Sequence, residues 1–401
     1  MKKNYPINYD AIIVGAGLVG MSMALALARN GLNIATIEKN NIDAQLEPEF
    51  DGRVSAISLG SQRILDNIGA WEFMIPHAEP ILDIRVTDGA TPFFLHFDHQ
   101  EISNNPFGYI VENRYIRHAL HKAAAQLKNL TLIDNFIINN LTQDSNSATV
   151  TGDNNKSLCA KLLIAADGKS SQMREFIGIK ATSWDYRQTA IVCTIKHELP
   201  HHGLAQERFL PIGPFAVLPM TGNRSSLVWV EPNDRVKLYM ELPEEEFVQE
   251  IIERTGDYLG KINTIGNRFS YPLSLLHAKK YTSQRVALIG DAAHGIHPIA
   301  GQGVNLGFRD VDALAGLISK QHSLGLDIGN ETLLANYAHI RSFDNVSMLA
   351  ITDFLTKLFS NNLIPLRIAR DAGLWVVGKL PPLKRIFMRH AMGLKSGDQN
   401  S

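Results

Sequence analysis

Cysteine is nearly absent from these 401 residues: Cys159 and Cys193 stand alone. Two cysteines so far apart fit neither a disulfide framework nor a CxxC metal or redox site, and no metal is expected. A reducing cytosol is the natural setting. A surplus of one charge is lacking too. The formal net charge is −1, so no global field favours nucleic acid. Internal repeats and low-complexity tracts are missing, and apolar and charged fractions of 45% and 20% are those of an ordinary globular protein. The chain is long enough for about two domains. One uncharged run, the 18 residues from Ala11 to Ala28, is long enough to resemble a membrane span or signal peptide. Three regularly spaced glycines and a change from strand to helix pattern inside it identify buried core instead, and no secretory segment is expected.

That run belongs to a βαβ unit for a dinucleotide. Ala11 to Val14 form a short buried strand, and Gly15, Gly17 and Gly20 follow. They supply the tight turn, the close backbone approach to a pyrophosphate and the helix–strand packing. A helix is expected from about Leu18 to Asn30, ended at Gly31. A second strand spans Asn33 to Ile37, and Glu38 stands at its end, placed to accept hydrogen bonds from a ribose hydroxyl. The helix start offers unpaired N–H groups and partial positive charge to phosphates. The motif alone leaves FAD and NAD(P) open.

Farther on, Arg53 follows a turn glycine and suits a pyrophosphate, with a surface salt bridge as the alternative. Strands are expected from about Ile81 to Phe97, with a hairpin turn at Thr87-Asp-Gly-Ala, and a helix capped by Asn113. The strand Lys161–Ala165 ends in Ala166-Asp167-Gly168, where open α/β sheets bind ligands. From about Trp184 to Tyr271, β-rich runs separated by Pro and Gly read as an antiparallel sheet with a covering helix at Pro243 to Thr255. His197, His201 and His202 read as an exposed loop, and Arg208 and Tyr271 are placed on the substrate side. A buried strand then ends in Gly290 and Asp291. The loop Gly301-Gln302-Gly303 opens a helix whose dipole suits the edge of a flavin that becomes anionic on reduction. After Asn330 a helical chain is expected, broken at Leu380-Pro-Pro.

Taken together, Gly15-Ala-Gly-Leu-Val-Gly20, Asp51-Gly-Arg53, Ala166-Asp-Gly168, Gly290-Asp-Ala-Ala-His294, Pro298-Ile-Ala-Gly-Gln-Gly-Val-Asn305 and the closing Leu380 to Gly393 carry a family resemblance. The chain resembles the class A FAD-dependent aromatic hydroxylases, and within them the ubiquinone-biosynthesis hydroxylases of the 2-polyprenyl-6-methoxyphenol hydroxylase type. The fold implied is α/β: a Rossmann-like FAD-binding domain with an inserted antiparallel-sheet substrate domain, as in p-hydroxybenzoate hydroxylase, and a helical C-terminus. The expected division is 1–75, 105–180 and 275–330 for FAD, 76–104 and 181–274 for substrate, and 331–401 for terminal helices.

The resemblance implies that Gly15, Gly17 and Gly20 line the FAD pyrophosphate, Glu38 the adenosine ribose and Arg53 the phosphates. Asn113 and Asp291 would meet the ribityl chain, and Asp167 and Gly168 would serve FAD and NAD(P)H. Gly301, Gln302, Gly303, Val304 and Asn305 would cradle the ring system, and Pro298 would face the aromatic substrate. The implied reaction uses NAD(P)H and O2 to hydroxylate a polyprenylated phenol. No general base is evident. His294 and His297 are candidate proton relays, weighed against a structural hydrogen bond.

From Arg367 to Lys395 there are seven Lys/Arg and one acid, Asp371, interleaved with apolar residues. Such a segment either lies on an anionic membrane surface or packs on the protein with a solvated basic face. The expected location is the cytoplasm, with a peripheral place on the inner membrane if the first alternative holds. A ubiquinone-biosynthesis complex is an implied partner. Two other functions stay open: hydroxylation of a soluble small aromatic acid, and a flavin-bearing scaffold without turnover.

Overall fold

The computed structural model describes residues 8–46, 52–89, 94–153, 156–295, 303–359 and 380–394, with side chains in the long helix described up to 345. The chain opens with β1 (Tyr9–Val14), α1 (Leu18–Arg29) and β2 (Ile34–Ile37). The short α2 (Ile42–Gln45) precedes β3 (Val54–Ser58) and α3 (Leu59–Asn67). Next come β4 (Ala78–Ile81), β5 (Asp83–Asp88), β6 (Phe94–Asp98), β7 (Gly108–Glu112) and α4 (Asn113–Ala124). Then follow β8 (Leu130–Ile133), β9 (Ile138–Gln143), β10 (Ala148–Gly152), β11 (Ser157–Ala165) and α5 (Gln172–Phe176).

The middle of the chain holds the long β12 (Ala181–His197), then β13 (Leu204–Phe209), β14 (Pro214–Met220) and β15 (Arg224–Pro232). Helices α6 (Asn233–Glu241) and α7 (Glu244–Thr255) lead to β16 (Ile262–Ala278). Three short strands follow: β17 (Thr282–Ser283), β18 (Val286–Leu288) and β19 (His294–Gly295). Helices α8 (Gly303–Ser323), α9 (Glu331–Phe359) and Pro381–Ala391 complete the described chain.

Three sheets result. The nucleotide sheet runs β17-β18-β11-β1-β2-β8, with β10 and β9 attached beside β11. Its strands β18, β11, β1, β2 and β8 are parallel. The central strands β1, β2 and β18 are buried on both faces, which is why β1 and β2 read as largely apolar runs rather than alternating ones, whereas the edge strand β8 leaves Thr131 and Leu132 exposed. A larger sheet runs β19-β16-β12-β15-β14-β13-β5-β6, mostly antiparallel with one parallel pair, β13 against β5. A small third sheet, β3-β7-β4, is built from the segment between β2 and β8, interleaved with β5 and β6.

Alternation along the large sheet separates two faces. On one face Phe215, Val217, Leu227 and Trp229 form a core with Phe247 and Ile251 of α7. The three glutamates in the first turn of α7, Glu244 to Glu246, suit its positive end. The other face carries Ala205, Leu218 and Met220, packed with Leu59, Ile81 and Ile110 of the nucleotide side. Met388 of the Pro381–Ala391 helix and Met392 just past its end close that cluster.

Candidate functional site

Three parallel strands end side by side. Val14 of β1 pairs with Ala165 of β11, and Ala165 with Leu288 of β18. Each end turns through glycine with positive φ: Gly15 at +104°, Gly168 at +80° and Gly290 at +57°. Backbone bonds tie the turns together, Ala166 N–H to Val14 O at 2.8 Å and Ile289 N–H to Ala165 O at 2.9 Å. This is the carboxyl edge where open parallel sheets take ligands. The Asp291 turn also sits over the start of α1, since a Cβ on Gly290 would lie 3.3 Å from Val19. Sequence segments 275 residues apart thus share one edge.

The three glycines of the first loop divide their tasks. A Cβ on Gly15 would lie 2.4 Å from Ala166 O, and one on Gly20 only 1.9 Å from Gly15 O. Both are required by packing of the loop and helix. Gly17 differs: nothing lies within 4 Å of where its Cβ would point. It opens α1 as a cap residue with no side-chain bond. That open space before a helix start is the cradle a pyrophosphate needs. Gly303 is likewise open at the beginning of α8.

A cleft of about 600 Å³ gathers Gly15, Gly17, Glu38, Arg53, Asp167 and Gly168. Glu38 is buried and held at both oxygens: Ala16 N–H donates to Oε2 at 3.0 Å and Asn40 N–H to Oε1 at 3.1 Å. The carboxylate is therefore fixed in place by the backbone on both sides. Phe136 and Ile138 add an apolar wall, and Arg117 of α4 adds a second guanidinium to Arg53. A larger cavity of about 950 Å³ is lined by Lys279, Arg285 and Asp327 and holds none of the residues expected from sequence.

Asp167 proves to be partly a structural acid. Ser171 Oγ donates to its Oδ1 at 2.5 Å and Met173 N–H to Oδ2 at 3.0 Å, which start α5. Burial raises its pKa despite these bonds. Asp291 stays exposed at its strand end, and desolvation by the surrounding protein raises its pKa against the pull of His294 and Lys169. Arg174 joins the two turns, donating to Ala292 O at 3.0 Å and Lys169 O at 2.9 Å. Sequence reasoning missed it, as it missed Arg117.

Behind the Asp291 turn lies a buried polar hub centred on Asp310, which is 0% exposed. Its Oδ2 accepts from Gly290 N–H at 2.8 Å and lies 2.6 Å from His294 Nε2, while Oδ1 accepts from Arg341 Nε at 2.6 Å. Arg341 Nη2 reaches Asn345 Oδ1 at 2.8 Å, and Asn345 Nδ2 reaches Tyr281 Oη at 3.2 Å. Burial would raise the Asp310 pKa, but His294 and Arg341 outweigh it and hold it below the ordinary 3.8. His294 thus has the structural hydrogen bond weighed against a relay.

Several expectations need correcting. Asn113 is the first residue of α4 rather than its cap; Glu112 holds the cap position, and Ser55 Oγ donates to Asn113 Oδ1 at 2.7 Å. The Asn305 side chain clamps β3, accepting from Ser58 N–H at 3.0 Å and donating to Ala56 O at 2.7 Å. Both ends of the amide are thus used to seat α8 on β3. His197 and His201 are buried, not in an exposed loop. His201 Nε2 reaches Met220 O at 2.9 Å, and His197 Nε2 lies 3.0 Å from Ser225 Oγ. Only His202 is exposed. Arg208 faces away from the nucleotide side and donates to Arg254 O on α7. His297, Pro298, Gly301 and Gln302 lie outside the described residues.

Within the described residues, which begin at Leu380, the basic tail packs on the protein through one face. Met388 and Met392 are buried, Gly60 N–H donates to Met392 O at 2.8 Å, and Lys384 pairs with Glu101 at 2.5 Å. Ile386 and Phe387 remain 63% and 46% exposed. Among the described residues no helix is long and apolar enough to cross a membrane.

Comparison with known proteins agrees with this geometry. The family model for the FAD binding domain matches residues 8–344. Ubiquinone hydroxylase UbiL of Rhodospirillum rubrum is 48% identical over 391 residues, 97% of this chain and 91% of the relative. The mitochondrial ubiquinone biosynthesis monooxygenase of Homo sapiens is 33% identical, covering 96% of this chain and 92% of the relative. The 3-demethoxyubiquinol 3-hydroxylase of Escherichia coli is also 33% identical, covering 96% and 98%. In fold, the chain is similar to p-nitrophenol 4-monooxygenase PnpA of Pseudomonas putida, with a TM-score of 0.77 at 19% identity over 96% of this chain and 98% of that one.

Proposed function

From the premise that this chain belongs to the FAD-dependent aromatic hydroxylases, in their ubiquinone-biosynthesis branch, we propose that it hydroxylates the ring of a polyprenylated phenol using NAD(P)H and O2. The observation that carries the reading is the convergence of three strand ends on one edge, with an open cradle at Gly17. FAD, when bound, supplies electron transfer from NAD(P)H and the activation of O2.

The chain's own residues do the rest. Gly17 and the start of α1 receive the pyrophosphate, whose charge Arg53 and Arg117 offset. Glu38 holds the adenosine ribose and Asp291 a ribityl hydroxyl. Gly303 and Val304 present the start of α8 to the ring system, with Asn305 fixing that helix against β3. Asp167 keeps α5 in place and, with Gly168, forms the wall NAD(P)H would approach. In this reading the parallel sheet and its helices bind FAD, and the large sheet covers the substrate. No second GxGxxG occurs in the chain, which supports a transient visit by NAD(P)H rather than a dedicated nicotinamide domain.

Exposed Ile386 and Phe387, beside Arg385 and Arg389, support a peripheral contact with an anionic membrane, where a polyprenyl chain resides. Two measurements test the proposal. With FAD bound, a prenylated phenol should stimulate NAD(P)H oxidation at least about tenfold and yield a product heavier by one oxygen. Stimulation by small aromatic acids instead would favour the soluble-substrate reading, and no stimulation by either the scaffold.

A further inference from the structure

The large sheet turns one face toward the nucleotide side, and across it runs a single register row. Val86 of β5 pairs with Glu207 of β13, Glu207 with Ala216, Ala216 with Val228, Val228 with Val192 and Val192 with Phe269. Five members are apolar, and the sixth is a carboxylate. At the far end the Phe269 ring occupies the space beside Gly52, 2.3 Å from where a Cβ would stand, so the row ends next to Arg53 of the dinucleotide cleft. At the near end Ala205 and Leu218, neighbours of Glu207 on the same face, pack with Ile110 and Met388.

Glu207 is surrounded by protein yet keeps some open surface. Among the described residues no hydrogen bond or ion pair reaches its carboxylate. The nearest acid by register on that face, Asp88, stands opposite Phe209, one pair along. A carboxylate left without a partner on an apolar face is costly unless a ligand completes it. Burial pushes the Glu207 carboxyl up to about 7, with no ionic neighbour contributing, which suits proton exchange near neutral pH.

Resting on the hydroxylase reading, we propose that the Ala216–Val228–Val192 stretch is the floor on which the phenol ring lies, and that Glu207 is the catalytic residue accepting its hydroxyl proton. The O–H bond breaks and the proton passes to the carboxylate. The electron pair left on the phenol oxygen feeds into the ring and makes its ortho and para carbons more nucleophilic. One of these carbons takes one oxygen atom of O2 as a hydroxyl group and loses its own hydrogen to solvent as a proton, while the other oxygen atom leaves as water and NAD(P)H, through FAD, supplies the two electrons. The hydroxyl is regained from Glu207.

The test compares binding of 2-methoxy-6-prenylphenol with its O-methyl ether, which has no proton to give, followed by tryptophan fluorescence of the FAD-loaded protein. The wild type should prefer the phenol by about tenfold or more. Glu207→Gln should abolish that preference, leave ether affinity unchanged and lower kcat by about 10²–10³. Glu207→Asp, which keeps the charge but withdraws it by one methylene, should retain the preference and lose at least about tenfold in kcat. A Glu207→Gln protein that still prefers the phenol, or a Glu207→Asp protein with full kcat, overturns the assignment. A wild type that shows the Glu207-dependent preference without phenol-stimulated NAD(P)H oxidation would refute the hydroxylase reading and leave the binding site standing. A wild type that binds neither ligand refutes both.

Discussion

Asp310→Ala should lower the stability of the protein by about 3–5 kcal/mol, because it removes a fully buried carboxylate on which a guanidinium, an imidazole and a backbone N–H all converge. Arg341 is 3% exposed and would be left with Asp344 alone, a half-buried carboxylate one turn away. Gly290 N–H and His294 Nε2 would lose the same acceptor. Chemical denaturation of the FAD-free protein measures this directly. Because Asp310 holds the Gly290 turn, the variant should also bind FAD more weakly than the fold loss alone accounts for. The pH dependence has a definite sign. The Asp310 pKa is depressed, so its stabilising contribution is present above the ordinary carboxylate value of 3.8 and disappears as pH falls through the lower folded value. Asp310→Asn should accordingly differ most from wild type at neutral pH and converge with it in strong acid.

A second large effect separates two glycines that stand three residues apart. Gly20→Ala places a methyl group 1.9 Å from Gly15 O, inside a helix packed on buried strands. Backbone must move, and a loss of about 1–3 kcal/mol is expected from overpacking, together with loss of FAD binding. Gly17→Ala puts the same methyl group into space empty of protein, at a φ of −71° that any residue adopts. Its FAD-free stability should change by no more than about 0.5 kcal/mol, while its FAD Kd rises about tenfold or more. Equal melting temperatures with unequal flavin affinity would identify the Gly17 cradle as ligand space. Unchanged affinity in Gly17→Ala would assign the pyrophosphate elsewhere.

The first βαβ unit was legible because its signals are local. Gly15, Gly17 and Gly20 act within a few residues, and the apolar runs of β1 and β2 follow from burial on both faces. Glu38 was legible for the same reason, by its distance from the glycines. Long-range pairing was not. Asp310 and Arg341 each lie inside a helix, where a charge ordinarily means a solvated face, and nothing local marks their contact. His197 and His201 read as loop residues because their partners are a serine hydroxyl and backbone carbonyls, which leave no trace in side-chain pattern. The neighbours Glu207 and Arg208 show the limit most clearly. Alternation places them on opposite faces of β13, but only α7, packed by tertiary contacts on one of those faces, decides which residue looks toward the nucleotide cleft.

The central claim is that three distant turns, at Gly15, Asp167 and Asp291, hold one FAD. The most direct measurement is the flavin released from purified protein by denaturation, quantified per chain after saturation with FAD and gel filtration. The account predicts one FAD per chain in the wild type and much less in Gly17→Ala at equal fold stability. A wild-type protein that stays colourless and retains no added FAD would contradict it.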